Sequence, residues 1–281
     1  MLTAALISAA AHAQPPSGAA EVVSAVNAPQ TNIVTDAGAD ATIGAAVSAP
    51  ATTPPAPPVR VSATALLTTQ CADAAAEPDA RITACTALLR LRPAMADAYG
   101  HRGLARAAKE DLTGALADYN RALSLRVSPI DLMNRASVLM ATRNYQAAIA
   151  DTDKAAALDP TDPKMESSRC WKRAVAGVEL DIARQACDRA LALTPNDPNT
   201  YDSRGLVFLK WGMYTEAFAD YDAAVKLVAG KDDRNEASFL FGRGLAQVKL
   251  GRNDLGEADL SAALAENRNI STIYALNGLT R

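Results

Sequence analysis

Four side chains in this 281-residue sequence have the reactivity for redox chemistry: Cys71, Cys85, Cys170 and Cys187. No two of them form a C-x-x-C motif, and nothing basic is arranged in the sequence to hold a thiolate. Disulfide formation therefore fits them best, with burial as small core residues next and redox turnover last. A second pattern is arginine followed sixteen residues later by aspartate, as in Arg102/Asp118, Arg135/Asp151, Arg204/Asp220 and Arg243/Asp259. An arginine row could grip an acidic ligand, but arginines with matched acids read more naturally as structural ion pairs. Beyond the N-terminal His12 the only histidine is His101, which has no nucleophile or metal-ligand cluster at motif spacing. With no Gly-rich phosphate loop, HExxH or GxSxG, the sequence assigns no catalytic residue, no metal and no cofactor, and the chain is not expected to be an enzyme.

The composition says what must position these residues. Hydrophobic residues make up 49% of the chain but aromatics only 5%, so the apolar content is largely alanine and leucine, which favour helix. The net charge is −3, and three acids, Glu21, Asp36 and Asp40, precede the first base, Arg60, leaving the remainder balanced. Nothing in that balance attracts nucleic acid. Residues 1–13, MLTAALISAAAHA, form a short apolar run ending in Ala11-His12-Ala13, the small-x-small pattern of a signal-peptidase site with cleavage before Gln14, although no basic residue precedes the run. The expected location is periplasmic or secreted. The run is too short to span a bilayer, and no other stretch approaches the roughly 20 apolar residues that a membrane helix needs. Residues 14–60 are rich in Ala, Pro, Thr and Ser, with Pro50, Pro54, Pro55, Pro57 and Pro58 at their end, and read as a disordered linker.

Residues 61–281 repeat. Small residues of a first helix align at Cys71, Gly103, Ala136, Cys170, Gly205 and Gly244, and anchors of a second helix align at Cys85, Tyr119, Thr152, Cys187, Tyr221 and Leu260. An alanine three residues after the second anchor, as at Ala122, Ala155, Ala190, Ala224 and Ala263, leaves room for the next repeat. Ser128-Pro129, Asp162-Pro163 and Asp197-Pro198 each supply a capping side chain followed by proline at the first helical position. Residues 229–234 are a polar insertion, and the stretch from Asn267, carrying Ile270, Ile273, Tyr274 and Leu276, reads as a closing helix. Folding each repeat as a hairpin sets its two cysteines against each other, so Cys71 should be able to bridge Cys85, and Cys170 to bridge Cys187. Repeat one departs most, because its two anchors lie 14 residues apart against 16 or 17 in the other repeats, and Arg81 stands where those repeats have Ala or Gly.

The recurrence of small, aromatic and proline positions, clearest in Pro198–Val228, resembles the tetratricopeptide repeat family. The resemblance implies an all-α protein: a right-handed α-solenoid of about six helix–turn–helix repeats with a C-terminal capping helix. It also implies a protein- or peptide-binding scaffold whose first helices line a concave groove. Carried onto this sequence, the candidate partner-binding residues are Met133, Met140, Trp171, Leu206, Phe241 and Leu245, with Trp171 and Phe241 expected as exposed anchors. The family's carboxylate clamp is matched by Asn134 alone, which disfavours chaperone-tail binding. The expected partner is another protein or an extended peptide. The alternative from another class is a thiol-dependent redox or chaperone-like protein.

Overall fold

Helices begin in this chain where a short polar side chain meets the backbone of a first turn. Ser128, Asp162 and Asp197 each precede a proline and accept a hydrogen bond from a first-turn N–H, at Asp131, Lys164 and Asn199 respectively. Asp111 caps in the same way, accepting from Gly114. The structure, a computed structural model, describes residues 62–231 and 233–280. The expected leader (1–13) and linker (14–60) lie outside those residues.

Thirteen helices and no strand are found among the described residues. They pair into six hairpins: α1 (Ala63–Ala72) with α2 (Pro78–Leu91), α3 (Ala96–Ala108) with α4 (Leu112–Leu125), α5 (Pro129–Ala141) with α6 (Tyr145–Leu158), α7 (Pro163–Ala176) with α8 (Leu180–Leu193), α9 (Pro198–Trp211) with α10 (Tyr214–Val228), and α11 (Glu236–Lys249) with α12 (Asn253–Glu266). A short α13 (Ile270–Leu276) follows. The polar insertion falls between α10 and α11, where it lengthens a connection without interrupting a helix.

The second-helix anchors hold the stack together. Tyr119 and Tyr221 are among the largest fully buried side chains. The Tyr221 ring lies so close to Gly205 of its own repeat and Gly242 of the next that a Cβ there would stand 2.8 Å and 2.2 Å from ring carbons. Only the absence of a side chain at both positions lets one tyrosine lock two repeats. Within each hairpin a second helix packs on its first helix and also on the first helix of the following repeat, and first helices touch one another along much of the stack, as in α1 with α3, α7 with α9 and α9 with α11. First helices thus form the inner layer of a curved array.

Repeat one explains its own irregularity. Helix α1 stops one residue after Cys71, whereas α9 continues well over a turn beyond Gly205. The Arg81 side chain, buried on α2, takes the place of the alanine or glycine found elsewhere, and its Nε has no hydrogen-bond partner.

Candidate binding groove on the inner face

The Arg/Asp spacing resolves into a ladder that runs through the stack. Arg102 Nη2 stands 2.7 Å from Asp118 Oδ1, Arg135 Nη2 2.6 Å from Asp151 Oδ1, Arg204 Nη2 2.7 Å from Asp220 Oδ1, and Arg243 Nε 2.7 Å from Asp259 Oδ2. In every case a second arginine nitrogen donates to the other carboxylate oxygen, the two-pronged geometry that guanidinium suits best. The remaining nitrogen reaches backwards to the preceding repeat: Arg102 to Thr86, Arg135 to Asn120, Arg204 to Asp188 and Arg243 to Asp222. Each arginine therefore joins the two helices of its hairpin to the one before.

Repeat four has Ala186 where repeats two, three, five and six have aspartate. Its Arg169 turns instead to Asp153 and Glu166, and Arg173 holds Asp153 and Glu179. The forward spacing of sixteen misses these inter-repeat partners, yet the same interval counted backwards reaches Thr86 from Arg102, Asp153 from Arg169 and Asp188 from Arg204. Burial pushes the Asp220 carboxyl up even as Arg204 pulls it down, while the Asp220 hydrogen bond holds the Arg204 guanidinium above its ordinary range. With carboxylates already occupying the guanidinium forks, the row is not an open grip for an acidic ligand.

The cysteines meet within hairpins. Cys71 and Cys85 have Cα atoms 4.7 Å apart and joined sulfurs, and Cys170 and Cys187 have Cα atoms 5.2 Å apart, also joined. All four side chains are buried, and no free cysteine is present among the described residues. His101 sits beside Arg81, and burial first, then that arginine, keeps it below its ordinary pKa. No group of three or more metal-ligating side chains occurs among the described residues, and no described helix is long and apolar enough to cross a membrane.

The first-helix residues assigned to partner contact are mostly not free. Phe241, expected as an exposed anchor, is only 4% exposed and its ring lies 4.8 Å from that of Tyr274 on α13. Met140, Leu206 and Leu245 are buried too, while Met133 and Trp171 are half-buried. The reason lies at the end of the chain. Ile273 and Leu279 pack on the cluster that contains Phe241, Leu245 and Leu209, and Leu279 also packs on the cluster that contains Met140, Val175 and Leu206. A cavity of about 20 Å³ separates Met140, Trp171 and Val175 from Ile273, Leu276 and Asn277. The segment 270–280 therefore crosses the inner face from repeat six towards repeat three.

Polar contacts fix the root of that segment. The Tyr274 hydroxyl donates to the Ser238 carbonyl at 2.9 Å and lies 3.5 Å from the Tyr221 hydroxyl. Ser238 donates to Asp202 at 3.2 Å, and burial pushes that carboxyl up to about 7. Farther along, Asn277, Gly278, Leu279 and Thr280 line one side of a cavity of about 460 Å³, with Leu209, Lys210, Leu245 and Lys249 opposite. Lys210 donates to the Val175 carbonyl at 2.9 Å, and desolvation brings its amine down to about 8. Neither Lys210 nor Lys249 makes an ion pair among the described residues.

No family model matches this sequence, and no curated protein matches it. Solved structures do. A tetratricopeptide repeat protein from Parabacteroides merdae ATCC 43184 shares 18% identity over 77% of this chain and 84% of its own, with a TM-score of 0.64. The Cut9–Hcn1 hetero-tetramer of the APC/C matches at 16% identity over 76% of this chain and 44% of that one, with a TM-score of 0.61. YrrB, described as a tetratricopeptide repeat protein with an unusual peptide-binding site, matches at 18% identity over 70% of this chain and all of its own, with a TM-score of 0.50. The helix order, the hairpin pairing and these matches agree: the chain has the fold of the tetratricopeptide repeat proteins.

Proposed function

We propose that this protein is an exported binding scaffold that presents the inner face of its first helices to a protein or an extended peptide, and that it catalyses no reaction of its own. The observation that carries this reading is the inner groove, where Met140, Trp171, Val175, Leu209 and Leu245 line cavities beside residues 273–280. A surface already shaped to receive a short peptide segment is preorganised for another of like chemistry. The peptide-binding site named for YrrB, a protein of the same fold, supports the same use of the architecture.

The two joined cysteine pairs support an oxidising compartment, in keeping with residues 1–13 as an export signal. Residues 14–60 would then tether the repeat domain and leave its inner face clear of whatever lies upstream. Buried cysteines without a free thiol among the described residues favour the scaffold over thiol-dependent chemistry.

The test is site-specific photo-crosslinking in the periplasm, with the probe at Trp171 on the inner face or at exposed Glu216 on the outer layer. A discrete product from Trp171 and none from Glu216 is the expected result. Equal labelling from both positions, or none from Trp171, would reject the inner face as the binding surface.

A further inference from the structure

Helix α13 and the residues after it are more than a lid on the last repeat. Ile270 and Tyr274 are buried and cover the end of the stack, as a terminal cap must. The next residues do something a cap does not require. Ile273, Leu276 and Leu279, three residues apart, lie along the inner face, and two of them pack on core clusters belonging to repeats three to six. Their seating is incomplete: Leu276 is 45% exposed, Gly278 and Thr280 are exposed, and a cavity of about 460 Å³ remains open beside Asn277. Two lysines face that cavity, Lys210 and Lys249, and the tail offers them no carboxylate between Ile270 and Thr280.

We propose that residues 276–280 are a built-in, replaceable occupant of the groove, and that the partner is a peptide with aliphatic side chains at i, i+3 and i+6 and an acidic group set to reach Lys210 and Lys249. The proposal deepens the scaffold reading and rests on it. Its apolar half follows from the chemistry of the segment now seated there. The acidic feature follows from charge complementarity, because Lys210 is partly desolvated and compensated only by a backbone carbonyl. A partner that supplies both replaces the tail's aliphatic contacts and adds a charge pair that residues 270–280 do not make. The chain's own segment then sets a threshold, since apparent affinity falls in proportion to the fraction of time the groove is empty.

The experiment uses the full chain and, as its probe, a fluorescein-labelled synthetic peptide with the sequence of residues 270–280, read by fluorescence anisotropy. The double variant Leu276→Asp/Leu279→Asp is expected to bind the probe at least tenfold more tightly than the unmodified protein. The milder pair Leu276→Ala/Leu279→Ala reports the same gain should the charged variant lose its fold. A second probe carrying Asp in place of the residue equivalent to Asn277 is expected to bind at least threefold more tightly at low salt, and Lys210→Ala/Lys249→Ala should abolish that preference. Equal affinity for the variant and the unmodified protein, or no binding to either, would overturn the proposal. So would sedimentation of the unmodified protein as a dimer held by exchanged tails, because the occupant would then be a second copy. This assay needs no cellular partner, so its failure is distinct from a failure to crosslink at Trp171.

Discussion

Arg204 and Asp220 face each other across a hairpin in a two-pronged ion pair, with Nε donating at 2.8 Å and Nη2 at 2.7 Å, while Arg204 Nη1 holds Asp188 of the preceding repeat at 2.8 Å. One guanidinium therefore bridges two carboxylates on different second helices. Removing Arg204 leaves the buried Asp220 without its cation, whereas removing Asp220 leaves Arg204 with Asp188.

Arg204→Ala strands the buried Asp220, while Asp188 keeps its pair with Arg184, and is expected to destabilise at the lower end of the roughly 3–5 kcal/mol seen when a buried pair loses one partner. Asp220→Ala leaves Arg204 still bound to Asp188 and is expected to cost less. In a double-mutant cycle measured by denaturant unfolding, the coupling should fall within about 0.5–3 kcal/mol. Additive losses would show that the two charges act as independently solvated groups.

The cysteine pairs close loops with sequence separations of 14 and 17 residues. Chain-entropy reasoning gives each bridge on the order of 3 kcal/mol. Non-reducing peptide mapping of protein recovered from an oxidising compartment is expected to yield Cys71–Cys85 and Cys170–Cys187. Reduction is expected to raise amide exchange chiefly in repeats one and four. A cross-repeat link such as Cys85–Cys170 would contradict the hairpin register.

Lys172 is 2% exposed, bonds only to the Ser168 hydroxyl, lies 5.6 Å from the centre of the Trp171 ring, and is brought by desolvation from 10.5 down to about 8. Between those two values the unfolded chain binds more protons than the folded one, so this lysine makes stability rise with pH from about 8 to 10.5. Below pH 8 the folded protein must bury a charged amine. Lys172→Met is therefore expected to stabilise at pH 7 by on the order of 2 kcal/mol and to flatten that rise. Thermal melts across the pH series would detect it, and a destabilised variant would mean that the cation–ring contact outweighs desolvation.

Gly242 offers a packing test. A methyl group there would overlap the Tyr221 ring, which is already pressed against Gly205. Gly242→Ala is expected to destabilise by about 1–3 kcal/mol despite its better helix propensity. Pairing it with Tyr221→Leu should recover part of the loss, whereas no recovery would place the strain elsewhere.

The sequence made the helices and their pairing legible because the relevant signals are local or periodic. Ser128, Asp162 and Asp197 announce helix starts within three residues, and the small-residue anchors recur at nearly constant intervals. The cysteine positions could be matched for the same reason, since a hairpin's register follows from its own two helices. Phe241 shows where this stops. Its place on a first helix was readable, but its burial depends on Tyr274, which arrives from a later helix with no periodic relation to the repeat. Lys172 and the backward contacts of the ladder were hidden similarly: neither the depth of a residue nor the side chain facing it from the previous repeat is encoded in its own repeat's pattern.

The passage of residues 270–280 across the inner face also bears on the order of assembly. Hairpins that touch only their neighbours can form from any starting point and spread one repeat at a time. Leu279 breaks that rule by packing on a cluster that reaches back to Met140, so its docking must wait until the intervening repeats are in place. Nucleation can begin anywhere along the array, but this closure comes last, and a chain stalled before it would emerge with its inner groove still bare.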